Sequence, residues 1–215
     1  MQNINRALEI NTENRHYIGD DVSALAQVQA PNVDLGLWRR PFQTAIAEEV
    51  SSLSAGSLND RKRRIPVEHF DQRIAETLQL HGLNQGQYVN LRQDLSYLSR
   101  VFASIVGTSE LVFRLFTTGE DDCRRFHLDR LKMRLMCTYQ GPGTQWLSEA
   151  QLDRVAQHTG QANEDIIRFG NPQRFEPFWV GIMRGDPKNQ GVGLVHRSPP
   201  VVDTGEIRVV FCLDA

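Results

Sequence analysis

The chain has 215 residues, of which 40% are hydrophobic and 23% charged. These are the proportions of a soluble globular protein with enough residues for a real core. Lys plus Arg number 24 and Asp plus Glu 26, a net charge of −2, so there is no electrostatic case for a nucleic-acid or membrane-surface partner. No apolar run approaches the length of a bilayer span. The opening Met-Gln-Asn-Ile-Asn-Arg lacks the apolar region of a secretory signal. Cys123, Cys137 and Cys212 are odd in number and contain no CxxC pair. That points to reduced thiols and a cytoplasmic location, and against a disulfide framework or a zinc knuckle.

The first half reads as helical and the second as β. Residues 33–39, Val-Asp-Leu-Gly-Leu-Trp-Arg, alternate as a short strand does. Pro41 suits the first turn of a helix running to about Leu53, and Ser51 to Gly56 reads as a loop. The basic run Arg61-Lys62-Arg63-Arg64 reads as solvated surface. Pro66 opens a second helix that ends near Gly82. Leu91, Leu95, Leu98, Phe102 and Ile105 recur at helical spacing from about Gln87 to Val106, and Gly107 stops that third helix.

From Leu111 onward, short segments rich in Val, Ile, Phe, Leu and Tyr alternate with Gly, Pro, Asn and Asp. Strands are expected at 111–117, 124–130, 132–139, 144–147, 165–169, 177–184, 192–198 and 206–213. Ser148 to Gly160 offers a short helix with Ser148 as its N-cap. The expected fold class is α+β. Residues 1–110 form a mainly helical region, and 111–215 form a double-stranded β-helix (a cupin-like jelly roll), the two packed as one compact unit.

Three positions carry chemistry. In Phe126-His127-Leu128-Asp129 a strand places His127 and Asp129 on one side, where an imidazole and a carboxylate can share a metal ion. His196 ends a later strand-like run, Gly193 to Ser198. Two histidines and one carboxylate form a facial triad that leaves adjacent positions open and suits non-haem Fe(II). Arg208 lies on the next strand, where its guanidinium can hold a carboxylate bidentately. A salt bridge to Glu206 or Asp214 is its bland alternative. Strand parity groups Arg208 with Val210 and Cys212, and separates Arg134 and Thr138 from Tyr139.

The stretches from Cys123 to Asp129 and from Arg134 to Leu147, the segment His196-Arg197-Ser198-Pro199-Pro200 and the Arg208 strand resemble the bacterial domain of unknown function 1826 family. That resemblance implies no established activity. The order His-x-Asp, His, Arg on a set of strands is similar to that of Fe(II)/2-oxoglutarate-dependent oxygenases. In those enzymes an Arg beyond the last His binds the far carboxylate of the co-substrate. The similarity implies Fe(II) on His127, Asp129 and His196, and 2-oxoglutarate held by Arg208 with Arg134 and Thr138 nearby. No catalytic residue is expected beyond the ligands. The partner would be a small-molecule or other substrate that the sequence leaves open. The competing reading is a non-catalytic zinc- or iron-binding module of the same fold, with Cys123 as an added soft ligand.

Overall fold

The computed structural model describes residues 15–215; the opening segment read for a secretory signal lies outside them. Two strands begin the described chain, β1 (His16–Gly19) and β2 (Leu35–Trp38), parallel neighbours in one sheet. Between them runs a 3₁₀ segment, Val22–Gln29, whose first N–H groups are capped by the Asp21 carboxylate. Helix α1 (Thr44–Val50) starts three residues later than Pro41 suggested, because Gln43 is still outside the helical region. The basic run becomes β3 (Arg63–Pro66), so Pro66 closes a strand instead of opening a helix, and α2 (Phe70–Leu80) follows a short 3₁₀ turn. Helix α3 (Val89–Val106) matches its apolar stripe, and Gly107 ends it in the left-handed conformation at φ 67°.

The strands from residue 110 onward are β4 (Glu110–Thr118), β5 (Met133–Gln140), β6 (Gln145–Trp146), β7 (Gln173–Arg174), β8 (Val180–Arg184), β9 (His196–Arg197) and β10 (Arg208–Asp214). Two short helices, α4 (Arg154–His158) and α5 (Asn163–Ile166), lie between β6 and β7. A seven-stranded sheet has the order β1-β2-β8-β5-β10-β4-β3, and a three-stranded sheet the order β7-β6-β9. Among the described residues only the β1–β2 pair is parallel; the other ladders are antiparallel.

Two expected strands are corrected. Residues 124–130 are irregular and touch the sheet through a single bridge, His127 to His196. The physical reason lies in contacts distant in the chain: the Phe126 N–H is taken by the Asn163 side chain, and the Arg125 guanidinium bonds the Gly160 and Gln161 carbonyls, which bends the segment away from regular pairing. Residues 163–166 form α5, with Glu164 and Asp165 in its first turn where the helix dipole favours acids. Ile167 then makes only one bridge, to Leu152.

The large sheet is covered on both faces. On one, the α3 stripe of Leu91, Leu95, Leu98 and Phe102 packs on Phe113, Leu135, Phe211 and Leu213, all within one hydrophobic core. Each such side chain contributes about 1.5–3 kcal/mol by burial. A buried polar knot fastens α3 to this face. Arg40 is ion-paired with Asp94, the Tyr139 hydroxyl donates to Asp94 at 2.6 Å, and Arg40 Nε donates to the Phe178 carbonyl at 3.1 Å. On the opposite face the small sheet stands across a cavity. Period-two alternation sorts β10 between them: Val209, Phe211 and Leu213 face the helices, and Arg208, Val210 and Cys212 face the cavity. The edge strand β3 carries Arg63, Arg64 and Pro66, a composition that discourages further strand addition.

Candidate metal centre

The cavity between the sheets has a volume of about 270 Å³ and is lined by His127, His196, Arg134, Arg208, Cys123 and Asp122, among others. His127, Asp129 and His196 each offer a ligating atom here, and those atoms lie within 4.8 Å of one another. The two imidazole rings are 4.6 Å apart, centre to centre. What joins them is backbone pairing. His127 N–H donates to the His196 carbonyl at 3.0 Å, and His196 N–H donates to the His127 carbonyl at 3.1 Å. A reciprocal pair of this kind puts both side chains on one side. The expected strand over 124–130 is thus unnecessary for the convergence, because one bridge suffices.

Asp129 comes from the loop beyond, and three contacts hold it. Its carbonyl accepts from the Asp186 N–H at 2.7 Å. Gly185 packs so closely that a Cβ there would lie 2.1 Å from the Leu131 carbonyl oxygen. Both Asp129 carboxylate oxygens accept from Arg134 Nη1, at 2.7 and 2.8 Å. Arg134 in turn grips Asp214 through Nε and Nη2, at 2.6 and 3.0 Å. Most of the donors of Arg134 are therefore committed to two carboxylates, and its visible work is to orient Asp129.

The histidine tautomers follow from their partners. Nδ1 of His127 lies 3.0 Å from the Arg125 carbonyl, and Nδ1 of His196 lies 3.1 Å from the Leu194 carbonyl. A carbonyl oxygen only accepts, so each Nδ1 carries the proton and each neutral ring keeps its lone pair on Nε2. Those Nε2 atoms face Asp129, at 3.7 and 3.4 Å. Burial pulls the His196 pKa down to about 4, with Asp129 only partly opposing it, so this ring is neutral at pH 7. Burial also acts to lower His127, and the Asp129 carboxylate beside it more than offsets that. For Asp129, burial favours the acid form, but His127, His196 and Arg134 outweigh it and hold the carboxyl far below its usual range. The neutral His196 thus turns an unprotonated Nε2 toward a carboxylate oxygen at 3.4 Å, a pair of lone-pair donors that a cation between them would satisfy. The donor set, two neutral imidazole nitrogens and one carboxylate, fits a divalent transition metal.

Arg208 sits across the same cavity and is 2% exposed. Its Nε donates to the Pro142 carbonyl at 2.8 Å. Among the described residues no carboxylate lies within ion-pair distance of it: Asp214 is taken by Arg134, and Glu206 is exposed. Burial lowers its pKa, a sign that its charge is poorly compensated. Gly141 makes this placement possible. At φ 76°, a Cβ there would come 2.5 Å from the Ile207 carbonyl oxygen. Thr138 is opposite Val210 on the cavity face of the sheet, and its buried hydroxyl has no hydrogen-bond partner. Cys123 lines the cavity; Arg125, which shares its parity, points elsewhere.

Several contributors had no sequence signal strong enough to find them. Asp214 and Asp186 act through contacts distant in the chain. Asp60 pairs with Arg114 at the cavity wall, 54 residues apart. The one visible hint was the Gly185-Asp186 to Gly193 run, whose turn-forming residues mark a tight loop just before His196.

Residues 19–214 match the family described as protein of unknown function (DUF1826), and the chain belongs to that family. No curated protein matches it. Among solved structures it is similar to dioxygenase for auxin oxidation 1 from Arabidopsis thaliana, determined as a binary complex with 2-oxoglutarate. The identity is 9%, the match covers 94% of this chain and 91% of that one, and the TM-score is 0.48. It is also similar to the rice dioxygenase for auxin oxidation, at 12% identity, 90% and 77% coverage and a TM-score of 0.43. No helix among the described residues is long and apolar enough to cross a membrane.

Proposed function

We propose that this protein is an Fe(II)- and 2-oxoglutarate-dependent oxygenase built on a double-stranded β-helix. His127, Asp129 and His196 would hold the metal, through Nε2, a carboxylate oxygen and Nε2. Arg208 would bind the distal carboxylate of 2-oxoglutarate. When bound, the metal and co-substrate supply oxidation by dioxygen coupled to decarboxylation of the keto acid.

The chain's own residues do the rest. The Arg125 and Leu194 carbonyls fix the imidazole tautomers and aim the lone pairs. Arg134 holds Asp129 turned toward the two histidines and, after them, helps keep it ionised. Thr138, whose buried hydroxyl lacks a partner on the same sheet face, would offer a hydrogen bond to a co-substrate oxygen. Burial of Arg208 and His196 beside the cavity lowers the local dielectric, which strengthens each charge interaction there.

The observation that carries this reading is Arg208, a buried guanidinium with no carboxylate at ion-pair distance among the described residues, in the same cavity as His127 and His196. A metal store has no use for it, and leaving it uncompensated costs free energy. Anaerobic titration of the Fe(II) protein with 2-oxoglutarate tests the proposal. A visible metal-to-ligand charge-transfer band is expected, and His127→Ala should abolish both metal retention and the band. A wild type that retains Fe(II) yet shows neither the band nor any affinity for 2-oxoglutarate would leave the non-catalytic metal module as the better reading. Cys123 is the observation that favours that module, since it lines the cavity. Burial, then Asp122 and Asp129, raise its thiol pKa, which disfavours the thiolate that a zinc ligand must be.

A further inference from the structure

Arg197 follows His196 directly and lies at a junction. It lines the metal cavity and also two open clefts outside it. Its guanidinium is held in place by neutral groups: Nε donates to the Gln145 side chain at 2.7 Å, and the group stacks 4.6 Å from the centre of the Phe126 ring. Among the described residues no carboxylate comes within ion-pair distance of it. Asp121, the acid on its flank, is occupied by the Val201 and Val202 N–H groups and by Arg124. The other arginines of the larger cleft are already paired, Arg39 with Asp20 and Arg174 with Glu176. The terminal N–H edge of Arg197 is thus rigid, cationic and without a partner, which is the arrangement that binds an oxyanion by two parallel hydrogen bonds.

The larger cleft, about 700 Å³ in volume, presents the partly exposed indole of Trp179, with the buried Trp146 and Leu37 behind its wall, on the same lining as Arg197. A flat apolar ring thus shares the cleft with a cation that has no ion pair among the described residues. We infer that Arg197 is the substrate-anchoring residue, and that the substrate is a small molecule with a carboxylate or phosphate group on a flat apolar body that lies in this cleft. The word substrate rests on the oxygenase reading, whereas the binding itself does not. The two unpaired arginines divide the recognition: Arg208 lines the metal cavity, and Arg197 lines both that cavity and the larger cleft.

Calorimetric titration of the full chain, free of Fe(II) and 2-oxoglutarate, tests this with 2-naphthoate, 2-naphthyl phosphate and the neutral 2-naphthamide as probes. At least one anion should bind roughly tenfold to a hundredfold tighter than the amide, and which anion does so identifies the oxyanion. Arg197→Gln should remove that selectivity, and Arg208→Gln should leave it. Equal binding of anions and amide by the wild type overturns the inference. So does selectivity that survives Arg197→Gln, or that vanishes with Arg208→Gln instead. Should Arg197→Gln fail to fold, Arg197→Lys carries the test, because it keeps the charge and loses the two-pronged edge; full selectivity in that variant overturns the inference. Since no metal or keto acid is present, failure here is separate from failure of the oxygenase reading, which the charge-transfer titration decides.

Discussion

At the scale of single residues, the cavity contrasts arginines that have carboxylate partners with two, Arg197 and Arg208, that have none among the described residues. Arg134 is paired with Asp129 and Asp214, and Arg114 with Asp60, so both are neutralised in place. Arg208 has only the Pro142 carbonyl and a few distant negative groups. An unpaired buried charge destabilises the empty protein. Arg208→Met should therefore raise stability without ligand by about 1 kcal/mol, or roughly 2–4 °C in Tm. The same variant should lose about a hundredfold in 2-oxoglutarate affinity while still retaining Fe(II). Thermal melts with and without 2-oxoglutarate check both halves, and a lowered Tm in the ligand-free variant would mean that Arg208 is a structural residue. Arg134→Met should behave oppositely, because it strips two buried carboxylates of their partner, at a cost of about 3–5 kcal/mol. Equilibrium urea unfolding reads that difference directly.

At the scale of elements, the site depends on how a few tight loops present short strands. The β5–β6 turn carries Gly141, whose positive φ and crowding by Ile207 allow no side chain. Gly141→Ala should destabilise the protein by about 1–3 kcal/mol and, by displacing the Pro142 carbonyl from Arg208, weaken 2-oxoglutarate binding more than Fe(II) binding. Separate titrations of the two ligands check this, and equal losses for both would put the strain elsewhere. Element by element, legibility followed locality. Helix α3 was readable because its stripe repeats every turn and its Gly107 stop lies in the same stretch. Strand β10 was readable because Val209, Val210 and Phe211 form an unbroken run of strand-favouring residues, while the face that holds Arg208 was decided by the pairing with β4 and β5. Strands β1 and β3 were not, since four residues of ordinary composition become a strand only when a neighbour supplies the ladder. The 124–130 segment has the composition of a strand, and yet contacts to Gly160, Gln161 and Asn163 turned it into a loop.

At the scale of the whole molecule, the large sheet is a partition with helices behind and the metal cavity in front. The Arg40–Asp94–Tyr139 knot fixes the helices to it from the rear, on the face of β5 opposite Arg134 and Thr138. Asp94→Ala leaves Arg40 buried without a partner and should cost about 3–5 kcal/mol, measurable by urea unfolding. Its effect on metal affinity should be small, as long as the folded fraction remains high, because the knot and the cavity lie on separate faces. A large loss of Fe(II) affinity in folded Asp94→Ala would show that the two faces are coupled. The amino-acid sequence by itself determined the α+β character, the helix stripe, the strand-forming runs of the late strands and the His127-x-Asp129 spacing, because each is carried by residues near one another in the chain. The tertiary structure alone decided which charges are neutralised. Asp214 reaches Arg134 across 80 residues and Asp60 reaches Arg114 across 54, while Arg197 and Arg208 are left without a carboxylate among the described residues. Ion pairing depends on distance in space, and that distance is set only when the sheets and loops have closed.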